Sequence, residues 1–239
     1  GRTLVLYYEY GGGDIYTSTQ NGEEWTKPVP LNGNINTPMF WEASGFLTSD
    51  GKKLYFSSNR PGGMGNMDIY VSEMERTGDW GKAENLGPVI NTPGREDSPA
   101  IDPDGSTLYF SSDGHLGMGG MDIFKSELRE GKWQKPVNMG FPINSVEDDS
   151  FFAMTKDKQK AYFSTLREDG NAEIYTLTFV EPQLSISDVV APGMTTDTKA
   201  VQPEEPITVA ATTAPPATRE VSTAKNNTPV VKENQSRKE

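Results

Sequence analysis

Apolar and polar residues along this chain alternate in short stretches, and no segment sustains an apolar period of 3.6 residues. Residues 106–111 form a typical stretch, short and rich in aromatic residues as a half-buried β-strand is. Tight-turn residues such as Pro103-Asp104-Gly105 separate these stretches. The 24 glycines and 17 prolines also favour many turns over long helices. The pattern predicts an all-β fold of short strands.

One pattern returns along the chain, and this internal repeat is the strongest signal in the sequence. An acidic residue followed by isoleucine and an aromatic residue occurs at 14–16, 68–70, 122–124 and 173–175, in steps of 54, 54 and 51 residues. Segments with Tyr-Phe at their centre occur at 54–58, 108–112 and 161–165. Two further markers keep the same spacing: Trp25, Trp80 and Trp133, and the dipeptides Ile35-Asn36, Ile90-Asn91 and Ile143-Asn144. Four markers in one register define a repeat.

Each copy of the repeat reads as four short antiparallel strands. In the third copy we predict strands at 98–102, 106–111 and 122–127 and a fourth around Trp133, with a glycine-rich loop at 113–121. Such four-stranded units are typical of the blades of a β-propeller, which stack because one blade cannot bury both of its faces. The sequence therefore predicts a β-propeller over residues 1–180, with copies near 1–44, 45–98, 99–150 and 151–180.

The first and last copies are incomplete. The first begins with the counterpart of a second strand, and the fourth has no clear fourth strand after Tyr175. We therefore expect about four repeats of a partial ring, with further blades upstream of Gly1. A four-bladed ring closed by residues 184–190 is the alternative.

The composition changes after the last copy. Residues 182–239 contain no Phe, Trp or Tyr, and threonine, proline and alanine dominate 208–218. A segment with so little apolar surface to bury cannot offset the entropy cost of ordering. The sequence therefore predicts that 181–239 is a disordered Pro/Thr-rich linker.

Charge and residue usage exclude several classes of partner. The formal net charge is -12, which disfavours nucleic acid and anionic membrane surfaces. The absence of cysteine excludes disulfides and thiolate metal sites, and a single histidine makes a histidine metal site implausible. No stretch reaches the roughly 20 apolar residues that a membrane helix needs, so no membrane insertion is expected. We predict no metal and no cofactor.

Two segments carry a family resemblance: residues 50–60, Asp-Gly-Lys-Lys-Leu-Tyr-Phe-Ser-Ser-Asn-Arg, and residues 119–124, Gly-Gly-Met-Asp-Ile-Phe. They resemble the WD40-like propeller repeats of bacterial cell-envelope proteins, and the match covers about residues 1–180. This family includes TolB-type propellers. It also includes envelope proteins of Bacteroidota that join a propeller to a peptidoglycan-binding module like that of outer membrane protein A. The glycine-rich loop of residues 62–70 is most similar to the second group.

The resemblance implies a function as well as a fold. It implies a non-enzymatic scaffold in the periplasm or cell envelope of a Gram-negative bacterium, whose propeller binds an envelope protein partner. Some members of the family take part in type IX secretion and gliding, so a role in a secretion or outer-membrane assembly is one expectation. Peptidoglycan would be bound only through a module whose motif this chain lacks.

The long loops indicate where a partner would bind. In a meander, the loops joining strand 2 to 3, and strand 4 to the next blade, lie at the same end; here they are 59–67, 87–96, 113–121 and 140–149. Long loops on a rigid scaffold commonly carry function. We call this end the long-loop face. Its candidate partner-binding residues are Phe40, Trp41, Arg60, Met64, Arg95, His115 and Met118.

Repetition separates structural residues from functional ones. Asp14, Asp68 and Asp122 recur once per copy, so we interpret them as acceptors of backbone N–H groups rather than catalytic acids. The three repeated tryptophans are expected to pack between blades. Trp41 has no tryptophan counterpart in the other copies, and His115 is expected to be an exposed loop residue.

Three functions remain open from the sequence. The first is the protein-binding scaffold, and the second is a carbohydrate-binding propeller that uses exposed aromatic residues such as Trp41. A hydrolase remnant is the weakest, because no acid–base pair stands apart from the repeats. We therefore predict that the chain is not an enzyme.

Overall fold

The computed structural model describes residues 2–9, 12–166 and 170–179, and the backbone of 210–212. These residues form four antiparallel sheets and, within the described ranges, no helix. The first sheet contains β1 (Thr3–Tyr8), β2 (Asp14–Asn21), β3 (Glu24–Trp25) and β4 (Val29–Pro30). The second contains β5 (Glu42–Leu47), β6 (Lys53–Ser58), β7 (Asp68–Glu73) and β8 (Glu84–Asn85).

The third and fourth sheets repeat this plan. The third contains β9 (Glu96–Ile101), β10 (Thr107–Ser112), β11 (Asp122–Arg129), β12 (Lys132–Trp133) and β13 (Val137–Asn138). The fourth contains β14 (Asp149–Met154), β15 (Lys160–Leu166), β16 (Ala172–Thr178) and β17 (Ala210–Thr212). Each sheet is one blade, and β5, β9 and β14 pack side by side at the inner edge. The predicted all-β propeller of four repeats is confirmed, with strand ends shifted by one or two residues.

The fourth strand of the fourth blade comes from an unexpected place. Residues 210–212 pair antiparallel with β16, with Thr212 opposite Thr176. These three residues fall inside the segment that the sequence predicts to be disordered. The rest of that segment, including the alternative closing strand at 184–190, lies outside the described residues. Among the described strands, β1 packs on β5 and β14 packs on β9, but β14 does not contact β1, so these strands alone do not close a ring.

Each contact between neighbouring blades, which we call a seam, has its own hydrophobic core. The second seam shows the plan: Tyr55, Ile69 and Ile90 of the second blade cover Phe110 and Phe124 of the third. The corresponding positions build the first and third seams. The repeated tryptophans pack between blades, as predicted, in the two copies that follow another blade. Trp80 is buried at the first seam, and Trp133 packs at the second, 6.5 Å from the Tyr55 ring.

The repeated Ile-Asn dipeptide has a backbone function. The Asn91 side chain accepts a hydrogen bond from the Ile69 backbone N–H (2.8 Å) and donates one to the Ile69 carbonyl (3.0 Å). Asn36 and Asn144 make the same pair of bonds with Ile15 and Ile123. The asparagine therefore imitates a neighbouring strand where the chain leaves the blade, which satisfies two buried backbone groups.

Two of the three repeated aspartates, Asp68 and Asp122, hold the glycine-rich loops, as predicted. Asp68 accepts the backbone N–H groups of Met64 and Gly65, and Asp122 accepts the N–H of Met118 at 2.7 Å. Each carboxylate closes the loop that precedes its own strand. No helix in the described residues is long and apolar enough to span a membrane.

Candidate functional site

The loops of the long-loop face pack directly on one another. A Cβ atom added at Gly65 would lie 2.1 Å from the carbonyl oxygen of Gly94 in the loop leading to the next blade. At Gly119 it would lie 2.3 Å from the carbonyl oxygen of Val146. Glycine is required at both positions because the two backbones touch. The loops are therefore a continuation of the rigid scaffold.

Exposed apolar side chains concentrate on this face. Eight of them, between 42% and 95% exposed, stand on its loops: Met39, Trp41, Met64, Val89, Leu116, Met118, Phe141 and Val146. We call this set the apolar rim. Within the described residues, exposed large apolar side chains also occur beside the turns at the opposite end, among them Trp25, Leu128 and Phe179 at 42%, 38% and 38% exposure. Single exposed apolar residues are ordinary, but a set of eight on the loops of one face indicates an interaction surface.

A cleft of about 490 Å³ opens on the same face, at the ends of the inner strands. Each blade contributes at least one large residue to it, from its strands or from the residue just before them: Tyr7, Trp41, Met67, Arg95 and Phe151. Asn59 and Asn66 line it as well. We call it the axial cleft. A second cavity of about 270 Å³ lies between β5, β9 and β14 and shares Ser44 and Phe151 with it.

Trp41 and Arg95 occupy the same position in consecutive copies, directly before the first strand. The scaffold holds both backbones alike: Asn59 Oδ1 accepts the Trp41 N–H, and Asp113 Oδ1 accepts the Arg95 N–H, each at 2.7 Å. The fourth copy has Asp148 at this position. A fixed backbone that presents a different side chain in each blade is suited to recognition, because the side chain can vary without disturbing the fold.

Phe151 is held in a backbone conformation that is unusual for a bulky residue. Its φ is 56°, and the corresponding Ser44 and Ser98 have φ of 50° and 52°. The pairing of β5, β9 and β14 with their neighbours shifts register here, as at a β-bulge. A large side chain at positive φ is rare and costs about 1–3 kcal/mol. The fourth copy nevertheless has phenylalanine, 59% exposed, where the others have serine.

Arg95 is the basic group of the axial cleft. Its guanidinium is 2.5 Å from a carboxylate oxygen of Asp97, whose side chain is almost fully buried. Asp97 also accepts hydrogen bonds from the Ser57 hydroxyl and the Ser98 N–H, both at 2.7 Å. This fixes Arg95 while half of its side chain stays exposed. Burial raises the pKa of Tyr7, with smaller contributions from Glu9 and Asp97, so Tyr7 presents a neutral hydroxyl to the cleft.

Arg60, predicted on the partner-binding surface, is largely buried in the first seam and also lines the groove of Phe40 on the long-loop face. Its guanidinium stacks on the rings of Phe56 (4.9 Å) and Tyr70 (5.1 Å) and pairs with the buried Glu42 carboxylate. It also donates to the carbonyl oxygen of Ile35 in the preceding blade. Only 12% of the side chain is exposed. The sequence could not show this, because the aromatic pair that holds Arg60 is assembled from two strands.

His115 is half-buried in the second seam, so the expectation of an exposed loop residue is wrong. Its ring lies 5.7 Å from the ring of Phe110 and 5.2 Å from that of Phe124, and Nε2 is 2.8 Å from the carbonyl oxygen of Ile90. Neither His115 nor Arg60 lines the axial cleft.

The remaining predicted residues lie on the long-loop face. Phe40 lines a groove of about 390 Å³ together with Met39. Met64 and Met118 are 43% and 49% exposed. The structure therefore brings Trp41 and Arg95 into one cleft and places the other three around it.

Sequence reasoning missed several residues of this face. Leu116, Phe141 and Val146 belong to the apolar rim, and Tyr7 and Phe151 belong to the cleft. Two signals were present in the sequence. Large apolar residues stand in glycine- or proline-containing loops, and Phe151 departs from the serine found in the other copies.

The buried carboxylates are part of the scaffold. Glu42, Glu96 and Asp149 start the inner strands and accept the backbone N–H of Thr37, Thr92 and Ser145, respectively. Burial raises the pKa of Glu96 and of Asp149. Within the described ranges, no group of three or more His, Cys, Asp or Glu side chains could hold a metal ion.

No family model matches this chain, and no curated protein matches it. Among solved structures, it is similar to a protein of Agrobacterium tumefaciens assigned as TolB (18% identity, TM-score 0.48, 74% of this chain and 57% of that one). It is also similar to TolB from Acinetobacter baumannii (14%, TM-score 0.46, 74% and 38%). It is similar to a prolyl endopeptidase as well (14% identity, TM-score 0.45, 74% of this chain and 24% of that one). The chain spans less than two thirds of the length of each.

Proposed function

We propose that this protein is a non-enzymatic scaffold of the bacterial cell envelope whose propeller binds a protein partner through the long-loop face. The observation that carries the proposal is the apolar rim, eight exposed side chains on the loops at one end of the blades. Burying such side chains against a partner is favourable by roughly 25 cal/mol per Å² of apolar surface. The loops are already fixed before a partner binds, because Asp68, Asp122 and loop-to-loop contacts hold them.

The composition of the face fits a protein partner. Methionine, arginine and aromatic residues are enriched in protein interfaces, and here they are Met64, Met118, Arg95, Trp41 and Phe141. Methionine adapts its shape to irregular surfaces, while tryptophan and arginine commonly dominate binding energy. We expect the energetic centre at Trp41 and Arg95, with the rim excluding water around them.

The cellular setting is part of the same proposal. The resemblance of the repeat supports the periplasm or cell envelope of a Gram-negative bacterium and, more specifically, a secretion or outer-membrane assembly. The proposal assigns no catalytic residue, because Glu42, Glu96 and Asp149 each hold a turn of the scaffold.

The axial cleft supports a second candidate, a glycan ligand. Trp41 and Tyr7 offer aromatic faces, and Asn59, Asn66 and Arg95 offer polar groups around the same cleft. Aromatic faces with a few polar groups are typical of small-ligand sites. A glycan would use the cleft alone, whereas a protein partner would also need the rim.

The two candidates are separated by variants of the cleft and of the rim. The cleft variant is Trp41→Ala, and the rim variant combines Leu116→Ser, Met118→Ser and Phe141→Ser. Lys52→Ala and Lys156→Ala, exposed at the opposite end, serve as controls. Protein partners are captured from the envelope fraction with the wild-type chain and then re-expressed. Their dissociation constants are measured for the wild type and for every variant. The wild type and the variants are also tested on a glycan array.

A protein partner should lose at least about 30-fold in affinity with the rim variant, corresponding to roughly 2 kcal/mol, while the controls bind like the wild type. A reproducible glycan ligand lost in Trp41→Ala but retained by the rim variant would replace the proposal with the second candidate. A partner that binds all variants equally would exclude the long-loop face.

A further inference from the structure

Half of the apolar rim stands on two neighbouring loops, 113–121 and 140–149. These loops contact each other directly, because Asp148 Oδ1 accepts the Met121 N–H at 2.8 Å. We call them the paired loops. Their exposed apolar side chains, between 49% and 95% exposed, are Leu116, Met118, Phe141 and Val146. The two loops therefore form one surface of the long-loop face.

The paired loops carry carboxylates and contain no lysine or arginine. Apart from the half-buried His115, their ionisable side chains are Asp113, Glu147, Asp148 and Asp149. Arg60 and Arg95, on other loops of the long-loop face, are each already paired with a carboxylate. The exposed apolar side chains of the paired loops are thus framed by negative charge, with no cation in the same loops to neutralise it.

One buried carboxylate oxygen of the paired loops has no partner among the described residues. The Asp149 side chain is 0% exposed, and its Oδ2 accepts the Ser145 N–H at 2.6 Å and the Ser145 hydroxyl at 3.1 Å. Its Oδ1 accepts no hydrogen bond. Asp149 lines a cavity of about 370 Å³ together with Phe141, Val146 and Glu147. An unpaired buried acceptor is unfavourable, so a cationic N–H donor that enters this cavity gains a hydrogen bond.

We propose that the paired loops select a partner segment in which apolar side chains stand next to lysine or arginine. The inference rests on the proposed function and names the chemistry of its partner. The apolar residues of such a segment cover Leu116 and Phe141, and its cations meet Asp113, Glu147 and Asp148. An acidic segment is repelled, and a neutral one covers these carboxylates without compensating their charge. An anionic lipid surface is disfavoured for the same reason.

The experiment selects binders to the full chain from a random library of peptides of roughly 12 residues. The charge variant combines Asp113→Asn, Glu147→Gln and Asp148→Asn. Asparagine keeps the acceptor oxygens that hold the backbone N–H groups of Arg95 and Met121, so the loops should retain their structure.

The control for the charge variant removes the same number of negative charges from exposed turns at the opposite end. It combines Glu75→Gln, Asp79→Asn and Glu130→Gln. Enriched peptides are synthesised, and their dissociation constants are measured for the wild type, the charge variant, the control and the rim variant at about 50 and 300 mM NaCl. Thermal melts verify that each variant is folded.

We expect the enriched peptides to combine apolar residues with two or more lysines or arginines. Their affinity should fall at least about 10-fold in the charge variant at the lower salt concentration and less at the higher one, because salt screens the attraction. The control should bind like the wild type. Neutral or acidic peptides that bind the charge variant normally but not the rim variant overturn this inference and leave the proposed function standing. No enriched peptide, or peptides that bind both variants like the wild type, overturns it as well.

Discussion

Arg60 and His115 occupy equivalent places in consecutive seams, and each contacts a backbone carbonyl of the preceding blade. Arg60 donates to the Ile35 carbonyl, and His115 Nε2 is 2.8 Å from the Ile90 carbonyl. Each side chain lies against the aromatic pair of its own blade. The first and second seams are thus held by polar contacts as well as by apolar packing, and both contacts support loops of the long-loop face.

Arg60→Ala should destabilise the fold strongly even though Arg60 lies in a loop. The change leaves the Glu42 carboxylate, which is 0% exposed, without its counter-charge. Breaking a buried ion pair from one side costs about 3–5 kcal/mol. Urea unfolding measures this, with Arg129→Ala as the control because both side chains of the Arg129–Glu127 pair are exposed. If Arg60→Ala unfolds at the same urea concentration as Arg129→Ala, the seam function of Arg60 is refuted.

Asn91→Ala should also destabilise the protein, through an unsatisfied backbone N–H group. The substitution removes the acceptor of the buried Ile69 N–H, whereas the Ile69 carbonyl still accepts the Leu86 N–H. A buried N–H left unpaired costs about 1–3 kcal/mol. The control is Asn66→Ala, an exposed asparagine of the glycine-rich loop. Thermal melts that place the two variants together would contradict the backbone function of the Ile-Asn dipeptide.

Phe151→Gly should separate stability from binding. Glycine adopts a φ of 56° without strain, and the phenylalanine is largely exposed, so the variant should be as stable as the wild type or up to about 1 kcal/mol more stable. Ligand affinity at the axial cleft should fall, because one of its aromatic side chains is removed. The matched change Ser98→Gly relieves a similar conformation without removing an aromatic ring. Unchanged affinity in Phe151→Gly would exclude Phe151 from the site.

The free energy of unfolding should fall at alkaline pH, and Tyr109 should contribute to that fall. Burial, followed by the charge of Asp102, raises the pKa of Tyr109 to about 12 from the usual 10.0. Because the folded pKa is the higher one, the stability that this group contributes is complete below pH 10 and disappears as the pH rises to about 12. Chemical unfolding between pH 8 and 12 should therefore show a shallower decline for Tyr109→Phe. Equal slopes for both proteins would contradict this.

The architecture was predictable because it is encoded once per copy. Four strands, a glycine-rich loop and an Ile-Asn turn recur at one spacing, so each marker confirms the others. The functions of Asp68 and Asp122 followed from the same logic. The strand at 210–212 could not be predicted, because no repeat marker accompanies it.

The candidate site was only partly predictable. Trp41 could be selected because it departs from the repeat, and Arg95 because it stands in a long loop. Arg60 and His115 have the composition of surface residues, but their burial depends on aromatic rings contributed by neighbouring strands. Tyr7 lies in a strand and reaches the cleft only through the stacking of the blades. Contacts between copies of a repeat are not visible in the pattern of one copy.

Site-specific photo-crosslinking in the envelope tests the central claim most directly. A photoreactive phenylalanine analogue is placed at Met118 or Phe141 on the long-loop face, and at Lys52 or Lys156 at the opposite end, all of them exposed positions. We expect one discrete protein adduct from both long-loop positions and none from the two opposite positions. Adducts that arise only from Lys52 and Lys156, or no adduct from Met118 and Phe141, would contradict partner binding through the long-loop face.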